Sequence, residues 1–206
     1  LVPDENVNIV KEFVDNLSGT LSKEFMNSDP GVRLLCEDMG NTEAEILDYT
    51  SVNKIIFYLR TVPNGVLHMS QVMTGLVETS LNLGIMELKE DGLYTVTSIR
   101  SSVSSRKEDV KNRVTAVVEM VGGEVTIEGD YPAWEYKADS PLRQRIAAVY
   151  EDMYHEKPVF EAIHAGLECG LFSDKLPGLD CVSFGPWNYD IHTPKERLSI
   201  SSTGRV

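Results

Sequence analysis

Two histidines share the stretch EAIHAGLECGLFSDKLPGLDCVSFGPWNYDIHTPKER, residues 161–197. His164 and Glu168 stand four apart, a spacing that on a helix over 164–172 puts both on one face. There a carboxylate can orient an imidazole, or both can meet a substrate amine. A histidine bonded to backbone, with Glu168 in a structural ion pair, is the other reading. His192 lies after a Gly185-Pro186 break and just ahead of Thr193-Pro194, in a loop held by its flanks. An imidazole so placed can ligate a metal or simply face solvent. His68 and His155, beside turns or helix ends, read as exposed structural residues. No HExxH or CxxC motif accompanies any of them.

The elements that must carry these residues follow from periodicity. Val7, Val10, Phe13, Val14, Leu17, Leu21 and Phe25 recur at helical spacing, and Asp29-Pro30-Gly31 ends that helix. A strand is expected at 32–36, then a helix that Ser51 caps and that carries Val52, Ile55, Ile56 and Leu59, stopped by Pro63-Asn64-Gly65. The period then changes. TSLNLGIMEL and LYTVTSIR alternate on either side of Asp91-Gly92, which predicts a β-hairpin. Val110, Val114, Val117 and Val118 restore helical spacing over 105–120, and Gly122-Gly123 closes that helix. A strand is expected at 124–128, a helix at 141–154, an extended run at 159–163 and a strand at 181–184. The order predicts an α+β fold, an antiparallel sheet with helices on one face, rather than a doubly wound sheet. A polar, proline-containing stretch at 131–140 suggests a domain boundary near Lys137. The chain opens on Leu1 and directly on a helical pattern, as a stretch of a longer protein would.

Composition narrows the function classes. With 19 basic against 32 acidic residues and a net charge of -13, nucleic acid is not an expected partner. No apolar run approaches the roughly 20 residues that span a bilayer, so no membrane association is expected and the cytoplasm is the default. Cys36, Cys169 and Cys181 form no CxxC pair and read as buried thiols in a reducing compartment.

The words NGVLHMS, GLVETSLNLGIMEL, IRSSVSS, GDYPAWEY, AIHAGLECGLF and SFGPWNYDIHTPKERLSISS, in that order, resemble the second half of bacterial aminoacyl-histidine dipeptidases. These are also called Xaa-His or cytosol non-specific dipeptidases, zinc peptidases of the aminoacylase and carboxypeptidase-G-like group. The resemblance runs from about Pro63 to the end; the first sixty residues are similar only in pattern.

The resemblance implies a catalytic domain split by an inserted lid or dimerisation domain, with residues 1–136 forming the second part of the lid and 137–206 the C-terminal segment of the α/β catalytic domain. It implies two zinc ions, a dipeptide substrate, hydrolysis by a metal-bound water, and a homodimer. The catalytic glutamate and most ligands belong to the half that precedes this stretch, so no catalytic residue is expected here and the chain alone should be inactive. His192, in DIHTPKE, resembles the family's last zinc-binding histidine. HAGLE, with His164 and Glu168, corresponds to a word near the active site. Arg100 stands where related lids carry an arginine that contacts the substrate carboxylate, a task a guanidinium performs with two parallel hydrogen bonds. A strand-end arginine can equally pair with Glu78 or Glu87. Asn82 is a further substrate-binding candidate. Two alternatives remain: a lid or dimerisation fragment without activity of its own, and a related deacylase or carboxypeptidase.

Overall fold

A computed structural model describes residues 2–43, 45–164 and 166–206. The chain divides into two compact units, 1–52 and 53–206.

In the first unit α1 (Val7–Glu24) turns a stripe of half-buried residues, among them Val7, Val10, Val14, Leu17 and Leu21, toward the segment that follows it. That segment is the expected strand at 32–36, and it has no regular structure. Its backbone is taken up by the helix instead. The Ser18 hydroxyl accepts from the Leu34 N–H at 2.9 Å, the Ser22 hydroxyl donates to the Val32 carbonyl at 2.9 Å, and Lys11 pairs with Asp38 at 3.1 Å. α2 (Tyr49–Thr61) follows. Asp48 rather than Ser51 caps it, its Oδ1 accepting from Thr50 N at 2.8 Å and Ser51 N at 3.1 Å.

The second unit is built on an antiparallel sheet in the order β1 (Gly65–Met69), β2 (Val77–Lys89), β3 (Gly92–Ser101). The hairpin turns at Asp91-Gly92 as expected, with Gly92 at φ 152°, a conformation that disfavours any side chain. β1 was not anticipated from Pro63-Asn64-Gly65, which the sequence presents only as a stop. His68 lies in this strand and is half-buried, not exposed. Leu81 pairs with Ile99 on the face that meets Tyr58 and Val62 of the α2 end and Val110 and Val114 of α3 (Ser104–Met120). Val110 is completely buried and Leu81 only 2% exposed, so this is the hydrophobic centre. The expected α+β arrangement, an antiparallel sheet with its helices on one face, is therefore what forms. Gly122 takes φ 81° just past the end of α3, as a C-terminal glycine does.

The expected strand at 124–128 is irregular. Its chain is pinned to α3 by Asp130, which pairs with Lys107 and Lys111 at 2.7 Å each. α4 (Pro141–Tyr154) begins at a buried Ser140 with Pro141 in its first turn and ends at His155 in the left-handed region. α5 (Glu168–Lys175) is shorter than the expected 164–172 helix at its start. Residues 159–163 and 181–184 carry no regular structure; a two-residue pair, β4 (Asn188–Tyr189) with β5 (Arg197–Leu198), and α6 (Ile200–Thr203) complete the chain. Cys36 is exposed, and Cys169 and Cys181 are half-buried, so none is the buried thiol expected. Among the described residues no helix is long and apolar enough to cross a membrane.

Candidate functional site

Strand alternation decides which side chains share a surface. Leu81 and Ile99 point to the helices, so Ser80, Asn82, Ser98 and Arg100 stand on the opposite face, with Ser80 directly across from Arg100 and Asn82 across from Ser98. On this polar face lies His164, drawn from the irregular chain between α4 and α5. Its Nε2 is 2.7 Å from the Ser80 hydroxyl, and its carbonyl accepts from an Arg100 guanidinium N–H at 3.4 Å. Burial first, and the Arg100 charge second, hold the imidazole below the usual histidine range; a backbone hydrogen bond with Val77 acts in the opposite sense.

Arg100 is otherwise uncommitted to a carboxylate among the described residues. Glu78 pairs with Arg106 at 2.9 Å, and Glu87 with Lys89 at 3.7 Å, so neither of these two acids takes it. Its exposed guanidinium keeps donors for a ligand.

The helical pairing of His164 with Glu168 does not form. His164 precedes α5, the cap residue Leu167 is extended, and Glu168 opens the helix as an exposed first-turn acid, where the helix dipole favours it. His164 belongs to the sheet and Glu168 to the helix start. Within the same word, Gly170 is required by packing: a Cβ there would lie 2.9 Å from the Pro132 carbonyl.

His192 sits in the loop that joins β4 to β5. Asp190 pairs with Arg197 across the base of the loop, and the Arg197 guanidinium lies over the Tyr189 ring, 5.1 Å from its centre. Inside it, Thr193 donates through N–H and hydroxyl to the Asp190 carbonyl, at 3.1 and 2.7 Å, while the His192 N–H donates to Glu196 Oε2 at 3.2 Å. These bonds hold His192 at φ 65° and Asp190 at φ 52°, left-handed conformations that a non-glycine residue adopts only where its surroundings over-determine them. The imidazole is exposed. Among the described residues no group of three or more His, Cys, Asp or Glu side chains is gathered for a metal ion.

The chain is 32% identical over 203 residues to the cytosol non-specific dipeptidase of Escherichia coli K12, an alignment covering 98% of this chain and 42% of that protein. Its fold superimposes on the crystal structure of aminoacylhistidine dipeptidase from Vibrio alginolyticus with a TM-score of 0.87 at 33% identity, covering 98% of this chain and 41% of the other. Over nearly its whole length the chain is similar to these dipeptidases. It spans about two-fifths of the length of the dipeptidases it matches. No protein-family model matches it. The likeness to the dipeptidases extends over the first sixty residues as well, where the sequence read alone offered only a pattern. Ser80 is the residue that sequence reasoning missed. The signal was present in TSLNLG, whose alternation puts Ser80 beside Asn82, but only strand register sets it opposite Arg100.

Proposed function

We propose that this chain is the substrate-recognising part of a metal-dependent dipeptidase, in which Arg100 receives the carboxylate at the C-terminal end of the peptide and His192 supplies one metal ligand. The observation that carries the reading is Arg100 itself: an exposed guanidinium on the polar sheet face, held through one N–H by the His164 carbonyl while Glu78 and Glu87 are engaged elsewhere. A guanidinium so held keeps a pair of parallel donors for a carboxylate. Asn82 lies along the same face, and Glu168, exposed at the start of α5, is a further substrate-binding candidate.

For a metal the donor set is partial. A neutral imidazole on an ordered loop suits zinc, and the remaining ligands come from the part of the dipeptidase length that this chain does not span. The chemistry a bound zinc pair supplies is a water acidic enough to attack a peptide carbonyl. This chain's own work is to bind and orient: Arg100 fixes the peptide end, and the restrained loop holds the imidazole of His192 in place. In this reading residues 1–136 form part of a lid or dimerisation domain and 137–206 part of the catalytic domain. The intact protein is a cytoplasmic homodimer acting on Xaa-His and related dipeptides.

The test uses the full-length enzyme. His192→Ala should lower bound zinc and dipeptide hydrolysis together; unchanged metal content in the variant would remove His192 from the site. A preference of the full-length enzyme for N-acyl amino acids over Xaa-His dipeptides would favour a deacylase.

A further inference from the structure

His164 contacts both strands of the hairpin at one point, through two different parts of itself. Its ring is bonded to Ser80 on β2, and its carbonyl accepts from Arg100 on β3, the residue directly across from Ser80. The ring therefore decides where the carbonyl stands. Among the described residues the ring is held by Ser80 and by the Val77 backbone, both on β2, while His164 itself lies outside any helix or strand and a Cβ on nearby Gly166 would meet no atom within 4 Å.

We propose that His164 is a positioning residue for carboxylate recognition, clamped by Ser80 so that its carbonyl holds the Arg100 guanidinium in the orientation that accepts the peptide's C-terminal carboxylate. The proposal rests on the reading of Arg100 given above. An arginine on an exposed sheet face has several rotatable bonds, and freezing them before the substrate arrives lowers the entropic cost of binding. A carbonyl suits this task better than a side-chain carboxylate. It takes one N–H of the fork without neutralising the charge that the substrate needs. The ring also suits its place, because an imidazole that stays neutral beside Arg100 adds no repulsion to the guanidinium.

The roles separate in an experiment on the full-length enzyme that compares a dipeptide with the corresponding dipeptide amide, which lacks the carboxylate. The quantity read is the ratio of kcat/KM for acid over amide. Arg100→Ala should collapse it. His164→Ala and Ser80→Ala should each lower it about tenfold, the lower end of what a hydrogen bond to a charged group contributes, mainly through KM for the acid. His164→Gln, whose amide can still reach the Ser80 hydroxyl, should retain most of it. In the Arg100→Ala background, His164→Ala should have no further effect on the ratio, since the group it positions is gone.

If Arg100→Ala collapses the ratio but the His164 and Ser80 variants lower acid and amide alike, His164 is structural and the proposal is overturned, while the carboxylate reading of Arg100 stands. If Arg100→Ala leaves the ratio unchanged, that reading fails and the proposal falls with it. Should His164→Ala fail to fold, Ser80→Ala, which leaves residue 164 intact, decides the matter by the same ratio.

Discussion

Replacing Arg100 by lysine keeps the charge on the polar sheet face and removes the fork. Its neighbours make the consequence calculable. Glu78 is already paired with Arg106 and Glu87 with Lys89, and among the described residues no ion pair of Arg100 is broken by the change. Its bond to the His164 carbonyl is long, at 3.4 Å, and the side chain is exposed. Stability should therefore move by no more than about 0.5 kcal/mol, as for ordinary surface substitutions. Binding should change more. An ammonium grips a carboxylate as a point charge, and losing the second parallel hydrogen bond to a charged partner costs about 1.5–3 kcal/mol. At about 1.4 kcal/mol per factor of ten, KM for a dipeptide should rise roughly 10- to 100-fold. The assay is steady-state kinetics of the full-length enzyme on a dipeptide and its amide, with thermal unfolding of the same preparations. A KM for the acid that stays within twofold of the parent, or an equal loss on acid and amide, would refute the reasoning.

Arg106 should behave in the opposite way. It neutralises Glu78, which is only 7% exposed and otherwise bonded to the Thr79 hydroxyl, so Arg106→Ala leaves a buried carboxylate short of a partner and should destabilise the enzyme by about 1–3 kcal/mol, measured by urea denaturation, with KM little altered. Acid should loosen the start of α4. Bonds from the Leu142 N–H and the Ser140 hydroxyl hold Asp180 below the ordinary carboxylate range, so its contribution is complete above the unfolded value of 3.8 and is lost as pH falls through the lower folded one. Asp180→Asn should flatten that part of the stability curve; an unaltered acid limb would show that the bond does not matter. His164 carries the same sign. Its folded value lies below the unfolded 6.5, so its contribution is full above the ordinary histidine range and declines as pH falls through the depressed value; the decline should be missing in His164→Gln.

The readable parts of the fold were those where a single segment carries its own instruction. Alternation around Asp91-Gly92 specified the β2–β3 hairpin, and valines at helical spacing followed by Gly122-Gly123 specified α3. The segments that misled were apolar runs whose partners lie elsewhere. Residues 32–36 look like a strand, yet the hydroxyls of Ser18 and Ser22 take up their backbone groups. Residues 181–184 find no strand to pair with, whereas polar Asn188–Tyr189 and Arg197–Leu198 do pair.

The same division runs through the site. The resemblance to the dipeptidases put Arg100 forward for a carboxylate and His192, before Thr193-Pro194, for a metal. Spacing placed His164 with Glu168, and there it failed, because a four-residue interval means a shared face only if the helix extends that far. α5 starts only at Glu168, and His164 bonds instead to Ser80, 84 positions away. A contact that distant in sequence leaves no local periodicity. Only the folded sheet, by setting Ser80 opposite Arg100, decides which two residues one histidine can hold.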